Sequence, residues 1–294
     1  MPRSADLLLA ASAPAIWGST YIVTTELLPP GYPLTDAVLR ALPAGLLLLA
    51  LTRRIPPRDW LIRLLILGAL NFALFWSALF VAAYRLPGGL AATLGAVQPL
   101  LVLLLARAAL NTPLSSRAVT AAVAGLAGVA LLLLAPAGQL DPLGVAAALG
   151  GALSMALGVV LTRKWQPPVP ALTFTAWQLT AGGLLLLPAA LLLEPPLPAL
   201  TAANTAGFLW LALPGAALSY FFWFRGIERA GPAAVTHFGF LSPLAAVLLG
   251  WAVLGETLAP LQLTGAAIVL VSIWAGSRSP QLPSSSPLKQ GLAQ

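Results

Sequence analysis

Few side chains in this sequence can do chemistry, and their types suit holding a small molecule better than breaking a bond in one. Trp17 and Tyr21 stand four residues apart, so on a helix they share a face. Pro14, just before them, bends that helix and frees a backbone carbonyl. Trp76 belongs to an aromatic-rich stretch with Asn71, Phe72, Phe75 and Phe80, and Tyr220 to another with Ser219 and Trp223. Rings at such depth make a polarizable wall for the apolar part of a substrate. The plainer alternative is that they pack between helices, or join the interfacial belt for which Trp60, Trp165 and Trp274 are placed. Gln98 and Ser242 each precede a proline, Pro99 and Pro243, whose missing N–H leaves a carbonyl to present to a charged ligand.

Two ionisable residues complete the candidates. His237, the single histidine, lies five residues before Ser242. It can bond a substrate or titrate; a neutral imidazole bonded to a neighbouring helix is the simpler expectation. Arg40 lies inside an apolar run, where a guanidinium must pair, snorkel or see water. Asp36, four residues earlier, is a natural ion-pair partner near the outer surface. Anchoring of a helix end is therefore expected of Arg40, with capture of a substrate carboxylate as the alternative. The reagents of catalysis are missing. There is no cysteine, no His-Glu-x-x-His and no Gly-x-Ser-x-Gly, and His237 has no evident carboxylate on its own helix. No catalytic residue, metal or cofactor is expected, and an intramembrane enzyme is disfavoured.

The elements that position these residues follow from composition. Hydrophobic residues make up 59% of the 294 and charged ones only 8%, with a mean hydropathy of +0.92. A soluble surface needs roughly a quarter charged residues, so lipid is the expected solvent. Ten stretches approach the roughly 20 residues that cross a bilayer: 7–28, 35–52, 60–84, 88–110, 115–134, 143–163, 171–193, 205–225, 232–254 and 261–277. The first is read as a retained helix and not a signal peptide. With the N-terminus inside, thirteen of the fifteen Lys and Arg fall on the cytoplasmic side, Arg85 alone falls outside, and Arg40 lies within a span. Both termini are thus expected in the cytoplasm of a bacterial cell, with the chain in the inner membrane. The net charge of +7 is spent on topology, so no nucleic-acid partner is expected. The partners implied are lipid and a small-molecule substrate, and a monomer is left open.

Self-similarity sets the architecture. Gly95 to Leu100 returns 144 residues later as Gly239 to Leu244, with Gly and Pro in matching places, and Ala121–Leu134 maps onto Gly265–Arg278. An offset of 138 places Arg40 on Gln178 and Gly45 on Gly183. Five spans per copy force the second copy to be upside down. The expected fold is an all-α integral membrane protein of ten transmembrane helices, a 5+5 inverted repeat around a central cavity that opens alternately to each side. The units expected are 1–139, 140–278 and a disordered cytoplasmic tail, 279–294.

Between Leu7 and Ser277 the chain resembles the EamA-type members of the drug/metabolite transporter superfamily. The resemblance is carried by Trp17-Gly18-Ser19-Thr20-Tyr21, Arg40, the Pro99 segment, Ser242-Pro243-Leu244, Leu254-Gly255-Glu256-Thr257-Leu258, and Gln262 with Gly265. It implies a ten-helix basket exporting metabolites such as amino acids, with a likeness to bacterial aromatic amino acid exporters. Small multidrug antiporters of that superfamily use a central acidic residue in the first helix; here Ser12, Pro14 and Trp17 stand there. Sugar-phosphate or nucleotide-sugar exchange is a second reading, but phosphates ask for more cations than Arg40 alone. A multidrug exporter is a third.

Overall fold

Helix breakers and basic clusters divide the chain as its hydropathy suggests. The computed structural model describes residues 4–86, 94–132, 141–255 and 259–277, which contain ten helices and no strand. They are α1 (Ser4–Leu27), α2 (Pro33–Thr52), α3 (61–85), α4 (Gln98–Leu110), α5 (Ser116–Leu132), α6 (Pro142–Lys164), α7 (Ala171–Leu193), α8 (Ala202–Ala230), α9 (Pro232–Leu254) and α10 (Pro260–Ser277). Eight are long and apolar enough to cross a membrane, and α4 and α5 are shorter apolar helices over their described residues. Aliphatic side chains cover the exterior; Leu191, Leu192 and Leu193 are 72–82% exposed, a surface that suits lipid and not water. The expected tail and Glu256 to Leu258 lie outside the described residues.

Two of the described helices carry a π turn. A π turn, Ala69–Ala73, interrupts α3, and another, Leu213–Leu218, interrupts α8, starting 144 residues later. A π turn breaks the regular backbone ladder and leaves carbonyls to be satisfied by other groups. Ser154 Oγ of α6 donates to the Leu70 carbonyl at 2.9 Å, while the Gly215 carbonyl accepts from Ser219 Oγ at 2.9 Å and Arg40 Nη2 at 3.0 Å. Ser154→Ala takes the hydroxyl donor from the Leu70 carbonyl, and about 0.5–1.5 kcal/mol of stability is expected to go. Thermal unfolding in detergent measures it; an unshifted midpoint shows that the carbonyl is solvated another way.

Close packing is arranged around small residues. α2 lies along α7 and α5 along α10; α1 packs on α8 and α9, and α6 on α3 and α4. At the α2–α7 crossing a Cβ on Gly45 would stand 2.5 Å from the Thr180 nitrogen, and one on Gly183 would stand 2.7 Å from Leu42 Cβ. Only glycine allows those backbones to meet. The two ends of the bundle are held by charge. At one end Asp6 of α1 pairs with Arg225 Nε at 2.9 Å and Arg229 Nη1 at 3.2 Å, both on α8. At the other, Glu194 accepts the Leu34 and Thr35 amides at 2.6 and 2.8 Å, capping α2. Asp141 caps α6 there through the Gly144 amide at 2.9 Å and pairs with Arg85 at 3.1 Å. The Gly144 amide, with Arg85, holds its carboxyl below the usual range.

Candidate functional site

Six rings gather where α1, α3 and α8 meet. Trp17 lies 4.7 Å from Tyr220 and 5.1 Å from Trp223, centroid to centroid. Phe72 stands 4.8 Å from Tyr220 and 5.2 Å from Trp76, and Trp76 meets Tyr220 edge-on at 6.0 Å. Phe224 closes the group, 5.8 Å from Tyr220. The reason is local periodicity: Phe72 and Trp76, like Tyr220 and Phe224, are four residues apart and stack on one helix face. Each such pair contributes about 0.5–1.5 kcal/mol beyond its buried area. Trp17 is half-buried, and the other five rings are at most 2% exposed.

Arg40 enters this cluster instead of anchoring a helix end. Its residue is only 6% exposed. The guanidinium carbon lies 4.8 Å above the Trp76 ring, and Nη2 donates to the Gly215 carbonyl in the π turn of α8. The sequence-based expectation placed it near the outer surface because Asp36, one turn away on the same helix, offers an i, i+4 partner. The fold supplies both an aromatic face and the Gly215 carbonyl, shared with Ser219, which hold a guanidinium out of water. Trp17 joins the same network, since its Nε1 donates to Ser219 Oγ at 2.8 Å and Ser219 donates to Gly215.

A second polar group lies between α3, α6 and α7. Asn71 Nδ2 donates to Gln178 Oε1 at 2.8 Å and to Thr162 Oγ1 at 3.1 Å, and Thr162 in turn donates to Gln178 Oε1. All three residues are buried. Gln178 Nε2 and Trp223 Nε1 are buried donors without a described partner. Asn71 Oδ1 is a buried acceptor in the same position, so the group suits a ligand that both accepts and donates. Thr162 and Phe224 also line a crevice with Arg163, Gln166, Phe174 and Glu228, with room for about one water at about 10 Å³. Arg163 donates there to the Glu228 carbonyl.

The structure therefore brings Trp17, Trp76 and Tyr220 together. The side chain of Tyr21 lies outside the described residues. No described hydrogen bond or ring contact joins Gln98, His237 or Ser242 to the cluster. Gln98 is half-buried in the first turn of α4, and Ser242 lends its carbonyl to a close approach by Gly18 of α1. His237 is fully buried, with Nδ1 2.9 Å from the Ala233 carbonyl and Nε2 3.1 Å from the Ala118 carbonyl of α5. Of the prolines, Pro14 lies inside α1. Pro99 opens α4, and Pro243 follows a 3-10 stretch, Thr236–Phe240, within α9. Sequence reasoning passed over Phe224 and Thr162. Phe224 was open to it, one helical turn from Tyr220; Thr162 carries no signal until α6 and α7 are packed.

Trp17→Ala is expected to lower function severalfold while the protein stays folded, and Trp17→Phe, which keeps the ring and loses the donor, to fall between. Uptake kinetics in proteoliposomes measure this, and unchanged kinetics in the alanine form remove Trp17 from the site.

The profile of the EamA-like transporter family matches residues 5–134 and again 142–277. Protein PecM of Dickeya dadantii is 47% identical over 263 residues, covering 89% of this chain and 88% of PecM. The inner membrane transporter YedA of Escherichia coli is 31% identical over 268 residues, covering 88% of this chain and 86% of its own. A protein known from a crystal structure shares the fold, with a TM-score of 0.79 at 20% identity over 93% of this chain and 96% of that one.

Proposed function

The chain belongs to the EamA-like transporter family and is a multi-span membrane transporter; from that premise we propose that it exports amino acids or similar zwitterionic metabolites, aromatic ones included, by alternating access. The observation that carries this reading is Arg40 buried against Trp76, among six rings and beside a π-turn carbonyl. The three features act together. The guanidinium attracts the carboxylate, the π turn of α8 holds that guanidinium in place through the Gly215 carbonyl, and the rings suit the ammonium and an apolar or aromatic side chain. Sugar phosphates would ask for more cations than this cluster holds. As a transporter, the protein moves its substrate without making or breaking a covalent bond.

The mechanism is read from the repeat. The two halves, 1–139 and 140–278, are proposed to be inverted copies. Their packing supports this: α3 on α6 is matched by α8 on α1, and α4 on α6 by α9 on α1, each pair related by a shift of five helices. The matched π turns are then the hinges. They are points where the backbone ladder is already broken, so bending costs least there. Rocking about them opens the ring cluster to one face and then the other. In this reading the end with Asp6, Arg225 and Arg229 faces the cytoplasm of a bacterial cell, as do both termini, and the crevice over Thr162 and Phe224 leads from that side. Trp17, Trp76 and Tyr220 contact the substrate directly. Gln98, His237 and Ser242 are reached only as the repeats rock, with Pro14, Pro99 and Pro243 as further bends, and Tyr21 is a proposed contact from its place one turn after Trp17. Uptake of a panel of amino acids into proteoliposomes tests the proposal. Movement of none of them, but of a cationic dye, gives the multidrug reading in its place.

A further inference from the structure

We propose that Asp36 is a proton-binding site, loaded from the outer face, through which protons move inward in exchange for substrate. The direction rests on the export reading above; the site itself rests on geometry. Asp36 lies in the first turn of α2 and is only 4% exposed, and its Oδ1 has no described hydrogen-bond partner. Glu194, from the end of α7, occupies the positive end of the same helix, with both carboxylate oxygens bonded to the amides of residues 34 and 35. The amides that would stabilise an anion are therefore taken by Glu194. Two carboxylates sharing one poorly solvated helix end are not charged together cheaply, and the less satisfied one takes the proton.

The surroundings add little to oppose this. Along α2 itself the next charged group is Arg40, one turn deeper, and before the helix Tyr32 donates its hydroxyl to the Pro196 carbonyl. From α7 comes Glu194; residues 202–218 of α8 bring no titratable side chain. Arg85 of α3 pairs with Asp141, and Glu26 at the end of α1 is exposed. Arg40 links the site to the ring cluster through Trp76 and Gly215. When Asp36 is an anion it pulls Arg40 outward; when it accepts one proton to become a neutral acid, Arg40 is left to the cluster and to a substrate carboxylate. Only a proton is bound and later released, so no further reactant is needed.

The test has two arms. In the first, the tryptophan fluorescence of the purified protein is followed from about pH 5 to 9, either side of neutrality. Trp76, 4.8 Å below the guanidinium, is the reporter. A single step is expected in the wild type and in Glu194→Gln, absent from Asp36→Asn, and displaced but present in Asp36→Glu. A step that survives Asp36→Asn, or none in the wild type, overturns the site. In the second arm, Asp36→Asn is expected to keep substrate counterflow at equal pH but to lose uphill movement driven by a pH gradient. Gradient-driven movement equal to that of the wild type overturns the coupling and leaves the export reading standing. A step lost in Asp36→Asn, together with no movement of amino acids by the wild type, keeps the proton site and sinks the export reading.

Discussion

Arg40→Gln is expected to lower amino acid transport about 10- to 100-fold, the worth of one charge-assisted, poorly solvated contact of roughly 1.5–3 kcal/mol. The loss should appear in the substrate concentration for half-maximal rate, because the contact is made on binding. Folding should survive, since the amide still donates and the matched position on α7 already carries a buried glutamine, Gln178. Arg40→Lys should recover part of the activity. It keeps the charge but loses the planar fork and the stacking on Trp76. A counterflow titration across the three forms decides it; three equal curves would mean that Arg40 only pins the π turn of α8.

The largest structural effect is expected from Gly45→Val and Gly183→Val. The added Cβ would meet main chain in each case: Thr180 N at 2.5 Å, and Leu42 N at 2.8 Å beside its Cβ at 2.7 Å. No side chain can swing aside, so α2 and α7 must separate along the interface. Overpacking of a tight core costs roughly 1–3 kcal/mol, and a backbone obstacle places these at or above the upper end. Comparable loss is expected from both, because the proposed two-fold relation makes them the same contact seen from opposite halves. Gly150→Ala is the control. Nothing lies within 4 Å of its Cβ position, and alanine at a helical glycine adds up to about 1 kcal/mol of stability. Monodisperse yield and thermal unfolding in detergent report all three; normal yield and melting in either valine form would break the packing argument.

Much of the fold was legible because lipid imposes a simple rule. A backbone in hydrocarbon must satisfy itself, so the apolar runs had to be helices and the breakers had to fall between them. The arginine clusters and the 144-residue echo of Gly95 to Leu100 in Gly239 to Leu244 were open to reading for the same reason. Rings such as Trp17, Trp76 and Tyr220 were recognisable as candidates by type and depth, since they need either a partner or a ligand. The π turns at Ala69–Ala73 and Leu213–Leu218 were not: a π turn keeps helical composition and differs only in its hydrogen bonding. Nor did anything in the order of residues say whether His237 faces a cavity or two backbone carbonyls.

Helix number, solvent and the inventory of reactive groups were thus determined by the sequence alone, because each is a sum over local properties of a segment. Partnership was decided only by the tertiary structure. Arg40 looked like an anchor for its own helix until α8 presented Gly215 and α3 presented Trp76. Asn71, Thr162 and Gln178 were scattered polar residues until α3, α6 and α7 closed on them. In a bilayer the exterior of every helix is equally content with lipid, so hydrophobicity chooses no neighbour. Glycine contacts, freed carbonyls and buried polar groups make that choice, and they have meaning only in three dimensions.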